Sequence, residues 1–291
     1  MMPSTSPSRA DTGPSAALAR WRSHLQAKLG GPLELPPLSP AAGAIAAMAA
    51  DPNANTALLA QHVQRDPTIA ANVLRVANSA AFAPQVPILS LQQAISWLGM
   101  GEILSISVSV WVRGQVFSVR GHEKLLSAFW HESVATACWA REIARQSRTS
   151  VELAHLCGLL QRIGRPVVVR LLADIASGES SRLTNVERAR LVEEFEARAG
   201  LALAAAWTLP EPVVATIAQR GAPDPTGDWS LQLRQVRLAE LLAARMLEQS
   251  LDADATEQLA QALDALNIYP EQFAALEARA DAVQAALSAL A

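Results

Sequence analysis

Helix-start signals recur from Asp66 almost to the end of the chain, and they constrain its fold more than any other feature. Asp66-Pro67 is the strongest of them: the carboxylate accepts from free backbone N–H groups, and proline at the first helical position gives up no needed donor. Behind it, Ile69, Val73, Leu74 and Ala77 fall on one helical face. Ser90 can cap a helix carrying Leu91, Ala94, Ile95 and Leu98, which Gly99 and Gly101 interrupt. A long helical pattern runs from His122 to Ser147 through Leu126, Phe129, Trp130, Val134, Ala137 and Ile143. Thr184-Asn185-Val186-Glu187 fits a capping box. Pro210 and Pro212 bracket another start, Ser230 can cap a helix with Leu233, Val236, Leu241 and Leu242, and Pro270 opens a last one with Phe273, Leu276, Val283 and Leu287. The one strand-like run, Val167-Val168-Val169, is short and sits inside a helical context. Ala and Leu dominate a composition that is 51% hydrophobic but only 4% aromatic, and both residues lose little on entering a helix. The expected fold class is all-α.

Residues 1–16 have almost nothing to bury and read as a disordered tail. Leu18, Trp21, Leu25 and Leu29 predict a short amphipathic helix over 17–31, ended by Gly30-Gly31. A proline-rich stretch from Leu33 to Pro40 leads into a main domain over 32–228. The turn-rich break from Pro223 to Gly227 separates it from residues 229–291, read as C-terminal helices packed on the main domain.

The net charge of −3 supplies no cationic field to draw the chain onto nucleic acid or an acidic membrane. Cys138 and Cys157 form no Cys-x-x-Cys pair, so they read as buried thiols in a reducing compartment rather than zinc ligands. No apolar run reaches the ~20 residues that span a bilayer, and the N-terminal stretch lacks a signal-peptide core. The expected location is cytoplasmic, with no membrane partner and no cofactor.

Several ordered blocks resemble the HDOD family, a bacterial signalling branch of the HD-fold proteins. They are Leu35-Pro36-Pro37-Leu38, then Asp66 through Asn78-Ser79, Ala94-Ile95-Ser96-Trp97-Leu98-Gly99, Trp130-His131-Glu132-Ser133, Gly158 to Gly164, Trp207-Thr208-Leu209-Pro210, and Val236 to Glu240. The resemblance implies an HD-type multi-helix domain. In metal-dependent members of the wider superfamily, His and Asp residues surround one or two metals that activate water against phosphate esters. On that pattern, His131 falls where the first His would stand. Gln161-Arg162 replaces the central His-Asp pair, in a segment that looks like the central helix. Glu196, Gln219, Arg220 and Glu240 fall near the later ligands. Gln is a poor transition-metal ligand, and Arg is permanently cationic without a lone pair. A guanidinium in place of a carboxylate would repel a divalent ion about 4 Å away by several kcal/mol, even at an effective dielectric near about 20. The resemblance therefore implies a kept scaffold with a degenerate metal site.

Two roles for Arg162 stay open. It pairs with Glu196 or Glu240 and plugs the old cavity, or it joins Arg165 and Arg220 in a cationic pocket for an anion such as a nucleotide. Asn78 and Ser79 read as a helix-end device, with a partner-facing polar site as the alternative. Trp97, Trp130, Trp139 and Trp207 read as core, and Trp21 and Trp229 as docking contacts. Trp111 reads as buried or partner-facing. His155 reads as a packed histidine, His62 and His122 as surface residues, and the mixed charges from Arg182 to Arg198 as a solvated helix face. No receiver, GGDEF, EAL or kinase segment is recognisable, so a signalling role needs partners in trans, a second copy among them. The leading expectation is a non-catalytic signalling module working through protein–protein contacts. A phosphohydrolase or phosphodiesterase with an unusual metal site and a nucleotide- or anion-binding sensor are the alternatives.

Overall fold

The computed structural model describes residues 16–31, 43–44, 47–48, 56–178, 182–222, 224–248 and 253–290, and among them every regular element is a helix. The expected N-terminal tail and the proline-rich Leu33 to Pro40 stretch lie outside the described residues. In chain order the helices are α1 (Ala16–Gly30), α2 (Thr56–Arg65), α3 (Pro67–Ala77), α4 (Leu91–Leu98), α5 (Met100–Val116), α6 (Glu123–Ser147) and α7 (Val151–Leu160). They continue as α8 (Gly164–Ala176), α9 (Asn185–Ala206), α10 (Glu211–Ala218), α11 (Ser230–Met246), α12 (Ala253–Ala265), α13 (Pro270–Glu277) and α14 (Ala280–Leu290). The triple valine lies in α8.

The caps form largely where the sequence places them. Asp66 Oδ1 accepts from the Thr68 and Ile69 N–H groups, and Ser90/Gln93 and Thr184/Glu187 both close reciprocal capping boxes. Four expectations shift. Only Gly99, at φ 78°, breaks the chain between α4 and α5; Gly101 is helical. Ser230 is the first helical residue, and the preceding Trp229 takes the cap position without a side-chain bond. The pattern after Pro270 divides into α13 and α14, because Ala278 caps α13 before the second helix begins. Gln161-Arg162 is not inside a helix: it occupies the tight turn between α7 and α8.

Helix α7 is apolar nearly all round, and every residue from Leu153 to Leu160 is buried. It packs against α5, α6, α10 and α11, with α6 as the long neighbour along its side. Gly158 permits this approach, since a Cβ there would lie 2.9 Å from the Ala137 Cα on α6. Helix α11 also lies along α6, and α14 packs on α6 and α5. Helix α1 docks on α8 and α9 through buried Leu18, Trp21, Leu25 and Leu29, with an Arg22–Glu194 ion pair at 2.8 Å on the rim. One apolar cluster joins the helices of the C-terminal segment to those of the main domain. Among the described residues, no single helix is long and apolar enough to cross a membrane.

Trp130, Trp139 and Trp207 are core residues, as their periodicity implies, and both cysteines are buried free thiols. Burial pushes each thiol up to about 12, so neither is a nucleophile at neutral pH. Trp97 departs from expectation, and Trp111 takes the buried one of its two alternatives. Trp97 is 53% exposed, because the short α4 buries only Ala94. Trp111 is 8% exposed and meets Trp207 edge-on at 4.6 Å, so it has no face for a partner.

Candidate functional site

Four helices and two turns bring charged side chains together at and beside positions that the resemblance aligns with metal ligands. Helix α6 contributes Glu132, the α7–α8 turn contributes Arg162, and the first turn of α8 contributes Arg165. Helix α9 contributes Glu196, the segment after α10 contributes Arg220, and α11 contributes Glu240. Gly164 makes the approach of α8 to α9 possible. A Cβ on it would overlap the Glu196 carbonyl oxygen and sit 2.6 Å from the Gly200 nitrogen. Backbone contact at that point holds Glu196 within reach of Arg162 and Arg165 on either side of the glycine.

Glu196 is the hub. Its Oε1 accepts from Arg162 Nη2 at 3.1 Å and from Arg220 Nη1 at 2.6 Å, and its Oε2 accepts from Arg165 Nε at 2.9 Å and Arg162 Nε at 3.3 Å. Glu240 Oε1 accepts from Arg162 Nη1 at 3.1 Å and Arg220 Nη2 at 2.8 Å. Arg165 Nη1 completes the set with a 2.5 Å bond to Glu132 Oε2, and its guanidinium lies 4.9 Å from the Phe129 ring centroid. Three guanidinium groups thus balance three carboxylates. Burial alone would raise the Glu240 carboxyl, but Arg220 and Arg162 outweigh it and hold the group below the ordinary carboxylate value. Burial, together with the neighbouring Arg165 and Arg220, lowers Arg162 from its usual value.

This answers the question left open for Arg162: it pairs with both Glu196 and Glu240. Arg165 and Arg220 join it, but as partners of the same carboxylates. Gln161 is buried and lines an adjoining cavity of about 290 Å³, with Arg162, Arg237 and Glu240 beside it. A larger recess of about 680 Å³ touches the same arginines from the side of Phe129, Arg188 and Glu193. Two anticipated members lie elsewhere. His131 turns Nδ1 to the Ser127 carbonyl of its own helix at 2.6 Å, and Gln219 braces a turn through paired bonds with the Thr226 backbone at 3.1 and 3.0 Å.

Glu132, Phe129 and Arg237 were not anticipated. Glu132 follows His131 by one residue, and that step of about 100° around the helix exchanges the ring for a carboxylate at the cluster. The buried Glu196 also interrupts the otherwise solvated charged face of α9. Asn78 is a helix-end device: its amide donates to the Leu74 and Ile88 carbonyls and accepts from the Ile88 N–H, each at 2.8 Å. His155 is packed, 3.1 Å from Ser109 Oγ, which itself donates to the Ser105 carbonyl at 2.8 Å. Both side chains are buried. His62 and His122 are half-buried rather than fully exposed.

The cluster does not fit a divalent metal. Glu196 Oε1 already accepts two guanidinium bonds and Oε2 three, which fills the roughly four lone-pair sites of a carboxylate. Among the described residues, no three His, Cys, Asp or Glu side chains converge as a metal-binding group.

The arrangement defines an all-α domain of the HD type, with an ion-pair cluster between its central helices. Comparison with known proteins narrows the class. The model of the HDOD domain matches residues 35–223, and the chain belongs to that family. An uncharacterised protein of Treponema pallidum (strain Nichols) is 25% identical over 167 residues, covering 53% of this chain. The match spans only 31% of that relative's length. A crystal structure from Shewanella amazonensis SB2B, named provisionally as a metal-dependent phosphohydrolase, aligns over 94% of this chain and 99% of its own, with TM-score 0.70 and 21% identity. Another from Marinobacter aquaeolei VT8, named provisionally as a signal transduction protein, aligns over 97% of this chain and 68% of its own, with TM-score 0.66 and 21% identity. At that identity the two structures speak for the fold alone.

Proposed function

We propose that the chain is a non-catalytic HDOD regulatory module in a signalling system, acting by binding other proteins in trans. Its ion-pair cluster stands where metal-dependent relatives of the wider superfamily carry their ligands. The observation that carries this reading is the saturation of Glu196 by three arginines. A metal at that carboxylate would have to displace guanidinium bonds and then sit among their positive charges. Family membership and the Marinobacter neighbour's name favour a regulatory role. The Shewanella neighbour's name favours hydrolysis, and the Glu196 saturation is the argument against carrying it over.

The anion-sensor alternative needs arginine donors that are free to grip phosphate. Each of the three Arg162 nitrogens already donates to Glu196 or Glu240, so an anion would have to compete with carboxylates fixed in place.

The test combines metal content with turnover. The purified chain, equilibrated with manganese, iron, zinc or magnesium, should retain far less than one ion per molecule and show no metal-dependent hydrolysis of cyclic dinucleotides. Stoichiometric metal, with turnover abolished in Glu196→Gln, would replace this reading with the phosphohydrolase one. Titration calorimetry against a nucleotide panel should give no heat; binding lost in Arg162→Ala would replace it with the sensor one. Affinity capture from the native cell should recover a signalling protein whose direct binding survives reconstitution from purified components.

A further inference from the structure

Between Arg75 and Glu102 the chain contains no Asp, Glu, Lys, Arg or His, although charged residues make up 18% of the whole and would ordinarily appear several times in such a span. The stretch is not buried. Gln85, Pro87, Gln92 and Ser96 are exposed, and so are three large apolar side chains: Val86 at 73%, Leu89 at 80% and Trp97 at 53%. Pro84, Pro87, Ile88 and Trp97 line an open groove of about 650 Å³ between the 84–90 loop and α4. Gln and Ser share this surface with the apolar side chains, and depletion of charge around exposed large apolar groups is a mark of contact sites.

The loop is also held in place. Asn78 fastens Ile88 to the end of α3 through both its donor and its acceptor. Gln93 Oε1 accepts from the Leu89 N–H at 2.9 Å and the Ser90 N–H at 3.1 Å, which locks the loop to the start of α4. Val86, Leu89 and Trp97 therefore stand on a braced support, and a partner would pay little ordering entropy to cover them. Asn78 serves this surface by shaping it from behind.

We infer that this charge-free face of the 84–90 loop and α4 is a self-association surface, on which a second copy of the chain seats Trp97 in the facing groove across a two-fold axis. The absence of charge selects the occupant. In a two-fold contact each residue near the axis faces its own copy, so any charge there would meet a like charge. A partner chosen by electrostatic complementarity would need charged positions to read, and the face has none. The inference deepens the protein-binding reading by naming one surface and one partner. Metal content and turnover can fail as tests of that reading without changing the oligomeric state measured here.

Sedimentation velocity of the full chain over about 1–200 µM, with circular dichroism of every variant, tests it. The wild type should show a concentration-dependent dimer. Trp97→Ala should weaken that dimer by about 30-fold or more, as loss of a central aromatic anchor does. Leu89→Glu and Leu89→Lys change an exposed side chain, so each should stay folded and run as a monomer. Mixed one to one, they should recover a heterodimer, because opposite charges then face each other across the axis. A wild type that is monomeric throughout, a dimer indifferent to Trp97→Ala and both Leu89 variants, or no recovery on mixing overturns the inference. Co-sedimentation of a monomeric wild type with phosphatidylcholine vesicles also overturns it and assigns the face to a membrane.

Discussion

Glu196 is an acid that only its neighbours make tolerable. Its side chain is 7% exposed and carries a charge that three guanidinium groups neutralise. Glu196→Gln would leave three arginines facing two carboxylates and remove the acceptor they share. Breaking a buried ion network from one side costs about 3–5 kcal/mol, because the remaining charge stays desolvated. Urea unfolding at pH 7 should show a loss of that size, whereas a change of less than about 1 kcal/mol would mean the cluster contributes nothing to stability. His155 makes a second residue-level prediction. Burial, and secondarily Arg141, depress its pKa well below the ordinary 6.5. The unfolded chain therefore binds a proton near pH 6.5 that the folded chain refuses. The His155 contribution is complete above pH 6.5 and is lost as pH falls from there toward the depressed folded value, by up to about 1.4 kcal/mol per unit. His155→Gln should flatten the decline in stability between pH 7 and 5.5, as read by urea midpoints. The Glu240 contribution runs in a lower window: its folded value is depressed, so its share is present above the ordinary 4.5 and is lost on further acidification. These residues were unequally legible. The family resemblance placed Arg162, Glu196 and Glu240 together. No spacing rule could say that Arg165 would prefer a carboxylate to an anion, or that Glu132 rather than His131 would face inward.

Elements were easier to read than their orientations. The caps at Asp66, Ser90 and Thr184 are local chemistry: each side-chain oxygen meets an N–H group two or three residues away, so sequence alone places it. Which face of a helix is covered depends on neighbours that are distant in sequence. That is why Trp97 on α4 is exposed although its pattern reads as core, and why the pattern left Trp111 on α5 open between burial and exposure. The break at Gln161-Arg162 was hidden for a related reason. The turn keeps right-handed helical dihedrals at Gln161 and Ile163, and no proline or positive-φ residue announces it. Its geometry is fixed by Gly164, which rests on the α9 backbone. Gly164→Ala carries an element-level prediction. The added methyl meets backbone atoms, which cannot rotate away as a side-chain tip could, so α8 must move off α9. The variant should lose more than the ~1–3 kcal/mol typical of overpacking and loosen the Glu196 cluster with it. Thermal unfolding tests this against Gly114→Ala on α5, where a Cβ would meet nothing within 4 Å and stability should hold or rise.

At the scale of the molecule, the family boundary and the physical boundary differ. The HDOD match ends at 223, yet the ion cluster needs Glu240 from α11. The C-terminal helices also close the core: buried Val236, Leu238, Ala239 and Leu242 lie on α11, which packs along α6 and α7. The last helix reaches back to the first half of the chain. Its Leu290 carbonyl accepts from Trp130 Nε1 at 3.3 Å, and its Ala289 carbonyl accepts from Arg75 Nη1 at 3.0 Å. Helices α11 and α14, within the stretch legible as a helical extension, therefore share one core with the helices before them, and one cooperative unit is expected. A chain ended at residue 228 would leave three arginines facing two glutamates and expose the apolar faces of α6 and α7. It should bind a hydrophobic dye and unfold broadly at reduced temperature, while the whole chain unfolds in one sharp transition followed identically by far-ultraviolet dichroism and tryptophan fluorescence. If the shortened chain instead melts as sharply and as high as the whole, the cluster and core are complete without α11. Glu240 would then be an accessory to the site rather than one of its three counter-charges.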